Sequence, residues 1–233
     1  MEHKECTEGG KGLNIKYSKK KEELRRDPVL ETIAGAKEFV TAQSDKIVTT
    51  LVIIILLFGG FQIFSYVRRS ARLKAQNDFG RAMLLYTGKD ISLAKEAFEE
   101  VIANHGNSPQ AGYSAFMIGH MYLAEEKYDD AIEYFQKACE SKKKIGFVRG
   151  EALEALATCY EAQGDNETAL EYLQKALNDK TITYRYPAIR WKMALINKEL
   201  GNDETVKFFC NKLVSDTLAL EYKKMAENLL ATM

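Results

Sequence analysis

The longest apolar run of the chain extends from Ile47 to Val67 and contains 21 residues without a charge. Fourteen of the 21 are Leu, Ile, Val or Phe. As a helix the run measures about 31 Å, which matches the hydrocarbon thickness of a bilayer. A cleavable signal has a shorter apolar core near the start of the chain, whereas this run begins at residue 47 and is followed by Arg68 and Arg69. The pattern therefore predicts a single, retained transmembrane helix over residues 46–69.

Two polar segments precede this helix. Residues 1–26 are dense in charge, are interrupted by three glycines, and are predicted to be a disordered tail. Residues 27–45 begin with Asp27, which can cap a helix, and Pro28, which suits the first helical position. Apolar side chains recur there at helical spacing, so we expect a short amphipathic juxtamembrane helix. It lies either at the membrane interface or against a partner protein.

From about residue 70 onwards, apolar positions follow the 3.6-residue period of amphipathic helices, and the pattern repeats. A small residue on the first helix of each copy recurs at Ala82, Gly119, Ala157 and Ala194, in steps of 37, 38 and 37 residues. Small residues let two helices approach closely, and larger residues around them fill the space between neighbouring pairs. A single pair cannot bury its apolar face, so such pairs stack into a solenoid. The sequence thus predicts an all-α repeat domain over residues 70–233.

Turn signals separate the predicted helices. Gly164 and Gly201 stand where a helix should stop, and Asp165 and Asp203 follow them as candidate caps of the next helix. One further helix is predicted from residue 215 or 216 to 232. Its apolar face would cover the open side of the last repeat and consists of Leu218, Tyr222, Met225 and Leu229.

The copy at residues 112–138 resembles the tetratricopeptide repeat (TPR) family. The residues at the family's spacing are Ala115, Ile118, Gly119, Tyr122, Ala131, Phe135 and Ala138. The resemblance implies an α-solenoid of about four TPR-like helix pairs, a C-terminal capping helix, and a role in binding other proteins. The chain departs from the family in lacking its early Trp and closing Pro, and in having a period longer than 34 residues.

The layout of one apolar span followed by a short solenoid resembles the bacterial single-span family that includes the ancillary subunit of the SecYEG translocon (YfgM-like). That resemblance implies an inner-membrane protein with a cytoplasmic N-terminus and periplasmic repeats. It also implies protein partners, either components of the Sec translocon or exported clients, and contact with membrane lipid through the one span.

The basic residues on the two sides of the span give conflicting indications of its orientation in the membrane. Residues 68–82 carry five basic side chains and residues 27–46 only two, which favours cytoplasmic repeats. The whole preceding tail carries ten, however, and long domains cross the membrane largely regardless of charge. Three cysteines in the repeat region weigh against an oxidising compartment unless they are buried. The balance favours repeats outside the cytoplasm.

Composition and motifs argue against nucleic-acid binding and against catalysis by this protein. The chain carries 33 basic and 33 acidic residues, so it lacks the basic surface that nucleic-acid binding requires. Its four cysteines form no CxxC pair, and no phosphate loop or nucleophile motif occurs. We therefore expect no enzyme activity, cofactor or metal site. The expected function is a membrane-anchored, chaperone-like interaction module; the alternative is a structural or assembly subunit of a larger envelope complex.

The TPR resemblance also implies where a peptide would bind. In that family the first helix of each pair lines an inner groove, and the matching positions here are Phe79, Met83, Tyr86, Tyr113, Phe116, His120, Leu123, Glu151, Glu154, Thr158, Trp191, Leu195 and Lys198. Aromatic and aliphatic side chains at both ends, with acids between them, would suit an apolar or basic peptide. Alternatively, the terminal aromatic side chains simply pack on the capping or membrane-proximal helix.

Overall fold

The structure is a computed structural model that describes residues 28–141, 146–217 and 219–233, without the side chains of Pro28 and Leu30. Within these ranges all regular structure is helical. The predicted disordered tail, the candidate cap Asp27 and Leu218 lie outside the described residues. The chain divides into two compact units, one ending at Tyr66 and the other beginning at Val67.

Ten α-helices follow one another in the described ranges. They are α1 (Pro28–Ala42), α2 (Ser44–Thr87), α3 (Ile91–His105), α4 (Pro109–Ala124), α5 (Tyr128–Glu140), α6 (Val148–Ala162), α7 (Asn166–Leu177), α8 (Tyr186–Glu199), α9 (Asp203–Ser215) and α10 (Leu220–Ala231). A 3₁₀ segment, Lys180–Arg185, precedes α8 and is named here the 180s segment.

The first unit holds α1 and the apolar part of α2. Helix α1 begins at Pro28, the predicted first helical position. Almost all described side chains of this unit are exposed, including the long apolar ones. The hydroxyls of Thr49 and Thr50 donate to the backbone carbonyls of Asp45 and Lys46, at 2.6 and 2.7 Å. These bonds satisfy the two polar groups within the helix itself, so they lower the cost of placing the hydroxyls in an apolar environment.

The second unit consists of helix pairs built on small residues. Residues 67–87 pair with α3 through the cluster around Phe98. The following pairs are α4 with α5, α6 with α7, and α8 with α9, followed by α10. The predicted small positions are fully buried at Ala82, Ala157 and Ala194. At Gly119 an added Cβ would lie 2.7 Å from the Phe135 ring. The helix-pair prediction is therefore confirmed, because all four small positions are buried between helices and Gly119 leaves no room for a Cβ.

The turn within each pair has the same backbone conformation. Lys89, Glu126, Gly164 and Gly201 have φ of 66°, 58°, 82° and 73°, the left-handed conformation that ends a helix. Their steps of 37, 38 and 37 residues equal those of the small positions. The two predicted glycine stops are confirmed, and two non-glycine residues occupy the same place in the first two pairs.

One of the two predicted caps is correct. The Asp165 carboxylate accepts a hydrogen bond from the Thr168 backbone N–H at 3.0 Å and caps α7. The prediction for Asp203 is wrong, since Asn202 occupies the cap position of α9 and Asp203 lies in the first turn. The side chain of Asn202 instead donates to the buried Asn197 at 3.2 Å, which satisfies a polar group in the core.

The final helix is shorter than predicted. Helix α9 continues to Ser215, and α10 begins only at Leu220. Ala226 and Leu229 are buried on the core, whereas Met225 is 40% exposed and does not belong to the covering face. The predicted Tyr222 and the neighbouring Leu230 also pack half-buried on the core, so the capping face differs from the predicted one at Met225.

The 180s segment is anchored in the repeats by the buried side chain of Ile182. Ile182 is fully buried and packs against Gly150 of α6, where an added Cβ would lie 2.7 Å from its Cγ1 atom. The Asp179 carboxylate accepts hydrogen bonds from the backbone N–H and the hydroxyl of Thr181, at 3.0 and 2.7 Å. Anchored in this way, the segment places Tyr184 and Arg185 beside α6.

Candidate protein-binding cleft

The first helices of the middle pairs, together with the 180s segment, form an open cleft of about 290 Å³, named here the repeat cleft. Its lining consists of His120, Leu123, Glu151, Glu154, Ala155, Thr158 and Arg185. Five of these belong to the predicted groove. Ala155 and Arg185 were not predicted.

The predicted aromatic end of the groove is mostly packed within the repeats. Phe79 stacks on Tyr113, with ring centroids 5.0 Å apart, and Tyr113 contacts Phe116 at 6.1 Å. Phe116 is buried, and Met83 and Tyr86 pack half-buried on the cluster around Phe98. These five side chains pack the first helix pair against the second. This agrees with the alternative that the terminal aromatic side chains serve packing, although they pack between neighbouring helix pairs.

The predicted residues of α8 lie outside the lining of the repeat cleft. Trp191 is half-buried on the main core, while Leu195 and Lys198 are exposed. The neighbouring Lys192 does reach α6, because its ammonium donates to the Thr158 hydroxyl at 2.8 Å and lies 2.8 Å from the Glu161 carboxylate.

Both predicted acids of the repeat cleft are paired with the 180s segment. The Arg185 guanidinium donates to the two carboxylate oxygens of Glu154, at 2.9 and 2.6 Å. The Tyr184 hydroxyl donates to the Glu151 carboxylate, and this hydrogen bond raises the pKa of Tyr184 to about 12. The phenol therefore remains protonated at neutral pH and acts as a donor.

His120 forms the opposite wall of the repeat cleft. Its ring contacts Phe116 and Phe135 edge-on, at 4.4 and 5.1 Å. Burial lowers the pKa of His120, and the negative charge of Glu151 only partly opposes this shift. The imidazole is consequently neutral at pH 7, so the charge of the cleft lining comes from Glu151, Glu154 and Arg185.

The sequence carried a weak signal for Arg185 and Tyr184. The stretch "NDKTITYRYP" lengthens the connection between α7 and α8 beyond the short turn of a TPR, which marks an insertion. Its position on the acids depends on the contact between Ile182 and Gly150, two residues separated by 32 positions. Periodicity does not reveal such a contact.

The fold and the repeat cleft define a class, the α-helical repeat scaffolds, whose stacked pairs present an extended surface for other polypeptides. Within the described residues, no three His, Cys, Asp or Glu side chains are grouped as metal ligands. Residues 37–184 match a family model described as a tetratricopeptide repeat-like domain. Because the match covers more than half of the chain, the protein belongs to this family. No curated protein sequence matches the chain significantly.

Solved structures support the fold. The PilF protein of Pseudomonas aeruginosa superposes with a TM-score of 0.50 at 16% identity, over 63% of this chain and 60% of that one. The nearly identical TPR-like repeats of a kinesin light chain protein from Podospora anserina give 0.50 at 17% identity, over 70% and 92%. At these identities the likeness concerns the fold alone.

Proposed function

We propose that this protein is a membrane-anchored interaction module that binds segments of client or partner polypeptides in the repeat cleft. The observation that carries the proposal is the cleft itself, which is open to solvent and lined by two carboxylates of α6, the first helix of one pair in a TPR-like domain. A cleft of this kind suits an extended segment with basic side chains.

The apolar part of α2 supports the anchor. By length and composition α2 qualifies as a membrane-spanning helix, and the residues of its apolar window are exposed rather than buried in a core. The family match begins at residue 37 and therefore includes this segment. A signal peptide that is removed from the mature protein would not form one family domain together with the repeats.

The proposed location is the bacterial inner membrane, with the N-terminus in the cytoplasm and the repeats on the periplasmic side near the protein translocon. The layout described above and the ten basic residues before the span support this orientation. The cysteines are compatible with it. Cys159 and Cys210 are buried, and burial raises the pKa of the Cys139 and Cys159 thiols to about 11, so few reactive thiolates form.

Site-specific photo-cross-linking in native membranes tests the binding role. A photoreactive phenylalanine analogue at Leu123, in the repeat cleft, should form adducts with polypeptides. The matched control is Gln136, an exposed residue on the second helix of the same pair. Adducts from residue 136 alone would overturn the cleft proposal and favour the structural-subunit role, in which another face makes the contact.

A further inference from the structure

The 180s segment occupies the acids of the repeat cleft as a bound peptide would. One guanidinium engages both oxygens of Glu154, and the adjacent phenol engages Glu151. Two neighbouring residues of the 180s segment thus fill the two charged positions of the cleft. The paired geometry is the one in which Arg recognises a carboxylate most strongly.

The contact with the acids is not what holds the segment in place. Ile182 is buried in the space left by Gly150, and Asp179 accepts two hydrogen bonds from Thr181. The Tyr186 hydroxyl also donates to the backbone carbonyl of Asp179 at 3.2 Å. The backbone is therefore fixed independently of the side chains of Tyr184 and Arg185, and those side chains can leave the acids without unfolding the segment.

Arg185 and Tyr184 are more exposed than Glu154, and this difference favours their replacement by another ligand. The Arg185 side chain is 43% exposed and Tyr184 is 63% exposed, whereas the Glu154 side chain is only 15% exposed. Arg185 and Tyr184 regain hydration when they rotate outwards, but Glu154 stays in the cleft and requires another cation. Displacement therefore leaves no buried charge unpaired only when an incoming cation takes the place of Arg185 at Glu154.

The charge balance of the lining indicates the chemistry of the competitor. With Arg185 in place the lining residues carry two carboxylates and one guanidinium, since His120 is neutral at pH 7. When Arg185 and Tyr184 rotate outwards, both carboxylates lose these partners and face the open cleft. A partner segment that brings a guanidinium and a neighbouring phenol restores the interactions that were lost.

We propose that the 180s segment competes with a partner polypeptide for the acids of the repeat cleft. The partner is an extended segment in which an arginine adjoins an aromatic residue, and this arginine replaces Arg185 at Glu154. The proposal rests on the proposed polypeptide-binding function and specifies the ligand of that same cleft.

A fluorescence polarisation titration of the full chain in detergent micelles tests the proposal. The probe is a fluorescein-labelled peptide with the sequence of residues 179–186, "DKTITYRY". Arg185→Gln should bind the probe about five-fold more tightly than the wild type, because the competing ion pair is gone. Tyr184→Phe, which removes only a hydroxyl, should tighten binding about two-fold. Glu154→Gln should weaken binding, and so should a probe in which glutamine replaces arginine.

The matched control is Arg81→Gln, which removes an equal charge from an exposed ion pair with Glu100 away from the cleft lining. It should bind the probe like the wild type. Equal affinity of the wild type, Arg185→Gln and Tyr184→Phe for the probe would overturn the proposed competition. Weaker binding by Arg185→Gln with an unchanged circular dichroism spectrum would overturn it as well. Absence of probe binding by every variant would overturn the arginine–aromatic specificity. Cross-links from residue 123 to other polypeptides would still support the binding function in that case.

Discussion

The presence or absence of a single Cβ atom can limit how closely the two helices of a pair approach. At Gly119 the Phe135 ring occupies the space that a Cβ would need. At Gly80, on the first helix of the preceding pair, an added Cβ would meet no neighbouring atom of the described residues within 4 Å. Two glycines in comparable helices therefore have opposite roles. One is required by packing, and the other only lowers the helix propensity of its segment.

Gly119→Ala should destabilise the repeats by about 1–3 kcal/mol, because the added methyl group overpacks the contact with Phe135. The measurement is the thermal unfolding midpoint of the full chain in detergent, followed by circular dichroism at 222 nm. Gly80→Ala is the control and should leave the midpoint unchanged or raise it. Equal midpoints for Gly119→Ala and the wild type would contradict the packing account.

Glu126→Gly should stabilise the protein by about 0.5–1 kcal/mol, since glycine adopts the left-handed conformation of this turn without strain. Gly164 and Gly201 already occupy the equivalent turns. The converse substitution, Gly164→Ala, should lower the unfolding midpoint. A lower midpoint for Glu126→Gly would show that the side chain of Glu126 contributes more than its backbone strain costs.

His120 should make the stability of the protein depend on pH. Burial lowers its pKa in the folded state, so on acidification the unfolded chain binds a proton before the folded chain does. Stability is therefore complete above about pH 6.5, the ordinary value for histidine, and is lost as the pH falls towards the lower folded-state pKa. The unfolding midpoint of His120→Gln should fall less between pH 7 and 5 than that of the wild type. Parallel curves for the two proteins would contradict this assignment.

At the scale of elements, the sequence predicts what depends on local periodicity and misses what depends on distant contacts. The helix pairs, the glycine stops and the cap at Asp165 follow from spacing, and the structure contains them. The cap at Asp203 was predicted wrongly, because Asn202 takes the cap position and bonds to the buried Asn197. The 180s segment could not be predicted, because the pocket at Gly150 positions it. Five lining residues of the repeat cleft were predicted, but their partners were not.

Ile182→Ala should show how the 180s segment is held. Ile182 is fully buried, so its truncation should destabilise the protein by about 2–5 kcal/mol and release Tyr184 and Arg185 from the acids. Thr183→Ala, at the adjacent exposed position, is the control and should change the thermal unfolding midpoint little. Similar midpoints for the two variants would mean that the segment is anchored elsewhere.

At the scale of the whole molecule, a tetratricopeptide repeat-like domain and an apolar helix belong to one family match. The family explains the helix pairs and the suitability of the repeat cleft for polypeptides. The 180s segment before α8 adds an ion pair between Arg185 and the cleft acid Glu154. In the proposed function, the compartment of the repeats determines which polypeptides the repeat cleft meets.

The most direct test of this account is protease accessibility in intact spheroplasts, with an epitope tag added after Met233. Carbonate washing should leave the protein in the membrane, because the proposed span would hold it there. Protease added outside should then remove the tag and degrade the repeats, while a cytoplasmic marker protein stays intact. Extraction by carbonate, or a tag that is digested only after the spheroplasts are lysed, would contradict the proposal of a membrane-anchored module with its repeats outside the cytoplasm.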